Sequence, residues 1–153
     1  SSNRDALERH VSDADLVIGA VLLPGAAAPK LVSRGLVQAM RPGSAVVDVA
    51  IDQGGCMETS RPTTHADPIY REEDVVHYCV ANMPGGVPKT SSAALNHATL
   101  PAVRAIALHG LRALEHDAGL RAGLNIHDGQ ITHAAVGEAL QLPVSDPAAA
   151  LAA

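Results

Sequence analysis

The stretch LVIGAVLL, residues 16–23, decides the fold. It is apolar throughout, bounded by Asp15 and Pro24, and carries β-branched side chains at Val17, Ile18 and Val21. An alternating pattern would mark a strand with one wet face. An unbroken run marks a parallel strand covered on both faces. A buried helix segment is the competing reading, and the flanking turn residues favour the strand. Downstream, Pro24-Gly25 and Pro29 mark a loop. Val32, Leu36 and Met40 then lie four apart, a helical stripe over residues 31–40 that Arg41-Pro42-Gly43 ends. SAVVDVAI, residues 44–51, repeats the strand signature, and VVHYCVA, residues 75–81, gives a third. Upstream, residues 3–10 read as a short polar helix closed by a turn at Ser12-Asp13-Ala14-Asp15.

Residues 52–74 are polar and rich in Gly, Thr and Pro, too long for a simple connection, and therefore expected to be functional. Residues 82–86 form a further loop. From residue 90 to 117 the pattern is helical. Pro101 is expected to break it and to open a helix whose face is Val103, Ile106, Ala107, Leu111 and Leu114. Asp128-Gly129 between short extended stretches, residues 124–132, is a hairpin signal. A short helix over 133–141 and a frayed, Ala-rich tail complete the chain.

Strand, helix, strand, long loop, strand is half of a doubly wound sheet. The expected class is α/β: the second half of a Rossmann-like doubly wound parallel sheet, followed by C-terminal helices and a hairpin. The G-x-G-x-x-G that opens such sheets is not found in the sequence. The strand at 16–23 would then have an open, apolar, uncharged edge, an aggregation hazard if left bare. A fragment, or one piece of a split protein, is the expectation. The chain opens on Ser1 without Met, so Ser1 is not expected to be where the natural product begins.

Composition narrows the partners. The 153 residues are 47% apolar and 18% charged, a globular balance, but there is no Phe or Trp and the aromatics are Tyr70 and Tyr78 alone. Burial per residue should be low. A net charge of −5 with no basic tract argues against nucleic acid. No apolar run reaches the roughly 18 residues that span a bilayer, and no basic-then-apolar leader pattern is read at the first residues. Cys56 and Cys79 fit no metal spacing and read as reduced thiols of a cytoplasmic protein.

Three long blocks carry a resemblance. They are DADLVIGAVLLPGAAAPKLVSRGLVQAM (13–40), MRPGSAVVDVAIDQGGCMETSRPTTHADP (40–68) and YCVANMPGGVPKTSSAALNHATLP (78–101). Together they resemble the alanine dehydrogenase/pyridine nucleotide transhydrogenase family over nearly the whole chain, most weakly after Pro143. DVAIDQGG followed by SRPTTH is similar to the dehydrogenase branch; the transhydrogenases differ in the loop after that strand.

The resemblance implies NAD as cofactor and the reversible oxidative deamination of L-alanine to pyruvate and ammonia. It implies a catalytic role for Asp52 beside the substrate. It assigns cofactor contact to Val21, Leu22, Val49, Ala50, Ile51, Asp52, Arg61, Val80, Ala81, Asn82 and Met83, with Asn82 also near the substrate. A carboxylate suits a reaction through a cationic iminium, where it stabilises charge and orders water. Residues 1–88 would be the C-terminal half of the NAD-binding domain. Residues 89–153 would be a helical segment packing on a substrate domain outside this chain. The family's substrate-binding arginine and lysine and its catalytic histidine lie in that domain, so the isolated chain is expected to be inactive. A homo-oligomer, a hexamer at full length, is implied as well.

Plainer readings stand beside these. By spacing alone, Asp52 could cap a helix or brace the turn at Gly54-Gly55, Asn82 could be an ordinary turn residue before Met83-Pro84, and Arg61 a solvated loop charge. No His pair has helical ligand spacing; His65, inside the family-like loop, is the one singled out. Cys56 has no basic neighbour in sequence to lower its pKa. Lys89 is left without a role. The functional alternatives are the nucleotide-binding part of a proton-translocating transhydrogenase and a non-catalytic truncated paralogue.

Overall fold

The computed structural model describes residues 4–152. The chain divides into two compact units, Ser1–Val87 and Pro88–Ala153.

The first unit holds helix α1 (Arg4–Asp13), strand β1 (Leu16–Gly19), helix α2 (Arg34–Gln38) and strands β2 (Ala45–Asp48), β3 (Ile69–Glu72) and β4 (Val75–Tyr78). The sheet order is β1-β2-β4-β3. β1, β2 and β4 run parallel, with Val17 opposite Val46 and Val46 opposite His77, and β3 closes the edge antiparallel to β4. This is the expected α/β class with three parallel strands in the expected places.

Alternation along each strand decides which side chains reach the core. Val17, Val46, Val75 and His77 face α1 and α2, where Val11, Val32, Leu36, Val37, Met40 and Met57 pack against them. The other set is open: Leu16 is 53% and Ile18 62% exposed. The unbroken apolar run at 16–23 was expected to be covered on both faces, and in this chain helices cover one. Its regular strand also stops at Gly19. There a side chain would collide with Cys56, whose Sγ lies 2.3 Å from where a Cβ would be.

The second strand ends at Asp48 rather than at residue 51. The Asp48 carboxylate accepts the backbone N–H of Ala50 at 3.1 Å and starts a 3-10 turn, Val49–Gln53. Similarly, the third strand ends at Tyr78. Beyond it Thr63 N donates to Cys79 O and Ala81 N to Thr63 O, so the preceding loop pairs with residues 79–81. β3 falls inside the segment expected to be loop. It turns into β4 through Glu73 and Asp74, both at positive φ (52° and 59°). Arg34 bridges Glu72 and Glu73, and Gln38 donates to Glu73, which holds that tight turn against α2.

Helix α1 runs three residues past its expected end; Asn3 lies outside the described residues. The short α2 is set by Ser33, whose hydroxyl accepts from Leu36 N at 3.2 Å.

The second unit contains helices α3 (Pro88–His109), α4 (Arg112–His116) and α5 (Ala118–Ala122), strands β5 (Ile126–His127) and β6 (Gln130–Ile131), and helices α6 (Ala134–Leu140) and α7 (Pro147–Ala152). Pro101 does not break α3. Proline removes one intrahelical hydrogen bond, and the turns on either side carry the helix through it. The apolar face expected from Val103 to Leu114 is largely open, with Leu114 buried and Val103, Ile106 and Leu111 exposed. The hairpin forms as expected, Asp128 and Gly129 both taking positive φ at its turn. The Ala-rich tail is helix α7 rather than frayed chain. Asp146 caps it through Ala149 N at 2.9 Å, and Ala150 is buried.

No described helix is long and apolar enough to cross a membrane.

Candidate functional site

Three parallel strands ending side by side expose one rim at their carboxyl ends, where ligands bind in open α/β sheets. The segments that leave β1, β2 and β4 there are 20–32, 49–60 and 79–87. The first two are zipped together: Ala28 N donates to Gln53 O, Leu31 N and Val32 N to Cys56 O, and Glu58 N to Val32 O. Lys30 Nζ adds bonds to the carbonyls of Gly54, Gly55 and Met57 at 2.6, 2.9 and 3.1 Å. A single ammonium thus satisfies three carbonyls of one turn.

Asp48 anchors the same turn from below. It is fully buried and accepts from Cys56 N (2.8 Å), Met57 N (3.3 Å) and Ser60 Oγ (2.5 Å) as well as from Ala50 N. Gly54 and Gly55 carry φ of 90° and 77°, and a Cβ on Gly55 would meet Asp48 Oδ2 at 2.7 Å. Gly54 is therefore favoured by conformation, and Gly55 by conformation and by room. Cys56 Sγ donates to Asp48 Oδ1 at 3.5 Å, and burial first, then the Asp48 charge, pushes its thiol up to about 11. That agrees with an inert thiol.

The 3-10 turn delivers Asp52 to the surface, while Ala50 and Ile51 point inward at 6% and 5% exposure. Asp52 Oδ1 accepts the backbone N–H of Asn82 at 3.1 Å. Asn82 lies in the left-handed region (φ 54°, ψ 55°) and begins a 3-10 turn, Met83–Gly86. Non-glycine residues in that region cluster at functional sites, and Asn tolerates it best. Its carbonyl accepts from Gly85 N at 2.8 Å and from His65 Nε2 at 3.1 Å.

The structure thus brings together Asp52, Asn82 and His65. Val49 and Leu22 are exposed, Ala81 is exposed, Met83 is half-buried, Val80 is fully buried and Val21 packs partly on the core. Ala50, Ile51 and Val80 are buried, so none of the three offers the exposed side chain that a cofactor contact would use. Arg61 is occupied elsewhere. Its guanidinium lies 3.8 Å over the Tyr70 ring, and its N–H donates to Tyr70 Oη at 2.9 Å. No hydrogen bond ties it to Asp52 or Asn82 among the described residues. Tyr70 stacks on the buried His77 at 4.8 Å, and burial raises its phenol above the ordinary value.

Sequence reasoning missed Asp48, Lys30 and Ser60 as organisers of the rim. Asp48 did leave a signal, an acid inside an apolar strand. Lys30 left none beyond its place in the APK triplet. A concavity of 460 Å³ on the α1–α2 side, lined by Leu7, Lys30, Leu31, Leu36 and Glu58 among others, includes none of Asp52, Asn82 and His65.

The family description "Alanine dehydrogenase/PNT, C-terminal domain" matches residues 1–134. The chain belongs to the alanine dehydrogenase/PNT family. Family members are pyridine-nucleotide-dependent oxidoreductases. An alanine dehydrogenase of Halomonas elongata is 61% identical over 142 residues, 92% of this chain and 38% of that protein. One of Mycolicibacterium smegmatis is 53% identical over 147 residues, 95% of this chain and 40% of that protein. The chain thus spans about two fifths of the length of these relatives. Among solved structures, an L-alanine dehydrogenase superposes with a TM-score of 0.77 at 52% identity, over 92% of this chain and 39% of that one. A transhydrogenase from Sinorhizobium meliloti reaches 0.54 at 30% identity, over 59% of this chain and 25% of that one. The dehydrogenase branch is the better match.

Proposed function

We propose that this chain is the C-terminal part of an NAD-dependent L-alanine dehydrogenase and supplies the nicotinamide side of its active site. The observation that carries the reading is the shared rim. Asp52 from the end of β2 and Asn82 from the end of β4 meet through one hydrogen bond, and the segments leaving β1 and β2 at the same rim carry exposed apolar side chains at Leu22 and Val49. An apolar shelf with a carboxylate and an amide at its border suits a flat, positively charged ring with a carboxamide.

In the reaction, L-alanine, NAD⁺ and water give pyruvate, ammonium, NADH and a proton. When bound, NAD⁺ would supply the acceptor for the hydride that leaves Cα. Asp52 lies where it can stabilise the cationic iminium that hydride loss leaves, and where it can order the water that adds to it. The Asn82 amide holds ribose or carboxamide without adding charge. Val21, Leu22, Val49, Ala81 and Met83 line the approach, and Ala50, Ile51 and Val80 are buried behind it. Arg61 reaches the nucleotide only by leaving Tyr70.

Residues 1–88 belong in this reading to the nucleotide-binding domain, and 89–153 pack on a substrate domain outside the chain. That domain supplies the remaining substrate contacts, so the isolated chain turns nothing over. The full-length enzyme is a cytoplasmic homo-oligomer, a hexamer. The test is a chimaera with this chain in place of the matching segment of the Halomonas elongata enzyme. NADH formation from L-alanine and NAD⁺ is expected of the chimaera and not of the chain alone. A folded chimaera that binds NAD⁺ but yields no NADH refutes the reading.

A further inference from the structure

We infer that His65 is a positioning residue for this rim, holding Asn82 in the conformation that engages Asp52. The inference deepens the proposed function and rests on it for its catalytic consequence.

Asn82 is held from two sides. Asp52 accepts its N–H at 3.1 Å, and His65 Nε2 donates to its carbonyl at 3.1 Å. Between these bonds the backbone sits in the left-handed region, which costs a non-glycine residue about 1 kcal/mol or more unless its surroundings fix it. The Asn82 side chain makes no cap bond of its own to the turn it begins. The conformation is therefore held by Asp52 and His65 from outside the turn, together with the Gly85 N–H that donates to the same carbonyl at 2.8 Å.

His65 reaches this place because its loop is strapped to the end of β4. Thr63 pairs with Val80 through two backbone bonds of 2.9 and 3.0 Å, and Thr63 Oγ1 donates to Pro68 O at 2.9 Å. The strap leaves the imidazole two residues beyond a fixed point.

A second, separate observation concerns Gly85 and Gly86. Neither takes the positive φ that usually explains a glycine. The space they leave is filled by the imidazole. A Cβ on Gly86 would sit 3.2 Å from His65 Cε1, and one on Gly85 3.4 Å from His65 Nε2 and 3.2 Å from Asn82 Nδ2. Two glycines without side chains and one histidine ring fit together as a socket, and the socket fixes Asn82. In the chemistry, Asp52 is then presented with one oxygen bonded to Asn82 and the other left for the substrate.

The test uses amide hydrogen exchange on the chain and kinetics on the chimaera. His65→Leu removes the donor. It is expected to speed exchange at Asn82 and Gly85 by about tenfold while the β4 amides keep their protection. His65→Gln restores a donor of similar reach and is expected to recover most of that protection. Gly86→Ala, which crowds the ring without removing it, should give the same pattern at smaller size. In the chimaera, His65→Leu is expected to lower kcat by about tenfold with KM for NAD⁺ nearly unchanged, because a misplaced group costs turnover before binding. His65→Gln should rescue it. Unchanged Asn82 exchange in His65→Leu, or faster exchange throughout β4 as well, overturns the inference. If the unsubstituted chimaera makes no NADH, the functional reading falls and exchange alone decides the role of His65.

Discussion

The backbone N–H of Asn82 donates to the carboxylate of Asp52 at 3.1 Å, joining the ends of two strands that are 30 residues apart in sequence. One member is an exposed acid on a 3-10 turn and the other an asparagine in the left-handed region. Neither needs the other for the core. Their junction matters for what lies above it.

Asp52→Asn keeps an oxygen that can accept from Asn82 and removes the charge. In the chimaera it is expected to lower kcat by about a hundredfold or more, as loss of a group that stabilises developing charge does elsewhere. Circular dichroism and melting should stay close to those of the parent. A large loss of stability instead would mean that Asp52 serves the fold.

Gly55→Ala meets a φ of 77° and two close atoms, Asp48 Oδ2 at 2.7 Å and Ser60 Cβ at 2.8 Å from the new Cβ. It is expected to destabilise by about 2 kcal/mol or more in urea unfolding. Gly54→Ala shares the φ but has open space and should cost about 1 kcal/mol. The difference between the two variants isolates the close approach to Asp48 and Ser60.

Lys30→Met leaves the carbonyls of Gly54, Gly55 and Met57 without their ammonium partner. A cost of about 1–2 kcal/mol is expected in urea unfolding, with faster amide exchange confined to residues 53–58. A thermal transition unchanged from the parent would contradict the role given to Lys30.

Alkaline stability should report Cys56. The unfolded thiol titrates near its ordinary 9.0, whereas burial and Asp48 hold the native thiol up to about 11. Between those values the unfolded state binds fewer protons, so stability is complete below the lower one and falls as pH rises. Tyr70, raised by burial, acts in the same sense at higher pH. Glu73 is held below the carboxylate range, first by Gln38 and then by Arg34, so its small contribution is present above that range and lost in acid. Urea midpoints from about pH 8 to about pH 11 should fall, and Cys56→Ala should flatten the slope.

Much of this was legible in the sequence because the core is written in period and punctuation. Apolar runs at 16–23, 44–51 and 75–81 announced three parallel strands, and Asp128-Gly129 announced the hairpin. What the sequence hid depends on distant partners. β3 was hidden because Glu73-Asp74 is an unusual tight turn, held by Arg34 and Gln38 from 35 or more positions away. Strand ends were overrun because Asp48 acts through its side chain, bending the chain at Val49 where apolar content alone would continue it. Pro101 misled because the cost of one proline was outweighed across a 22-residue helix. At the site, Asp52 and Asn82 were legible through the family-like blocks, whereas the Lys30 and Asp48 supports are properties of folded loops.

The most direct measurement is a crystal structure of the chimaera with NAD⁺ bound. The nicotinamide is expected over Val49, its carboxamide within hydrogen-bonding reach of the Asn82 side chain or of the backbone at residues 80–83, and the Asp52 carboxylate beside the reacting face. A nicotinamide bound away from both residues, or an Asp52 turned from the ring with its bond to Asn82 broken, would contradict this expectation.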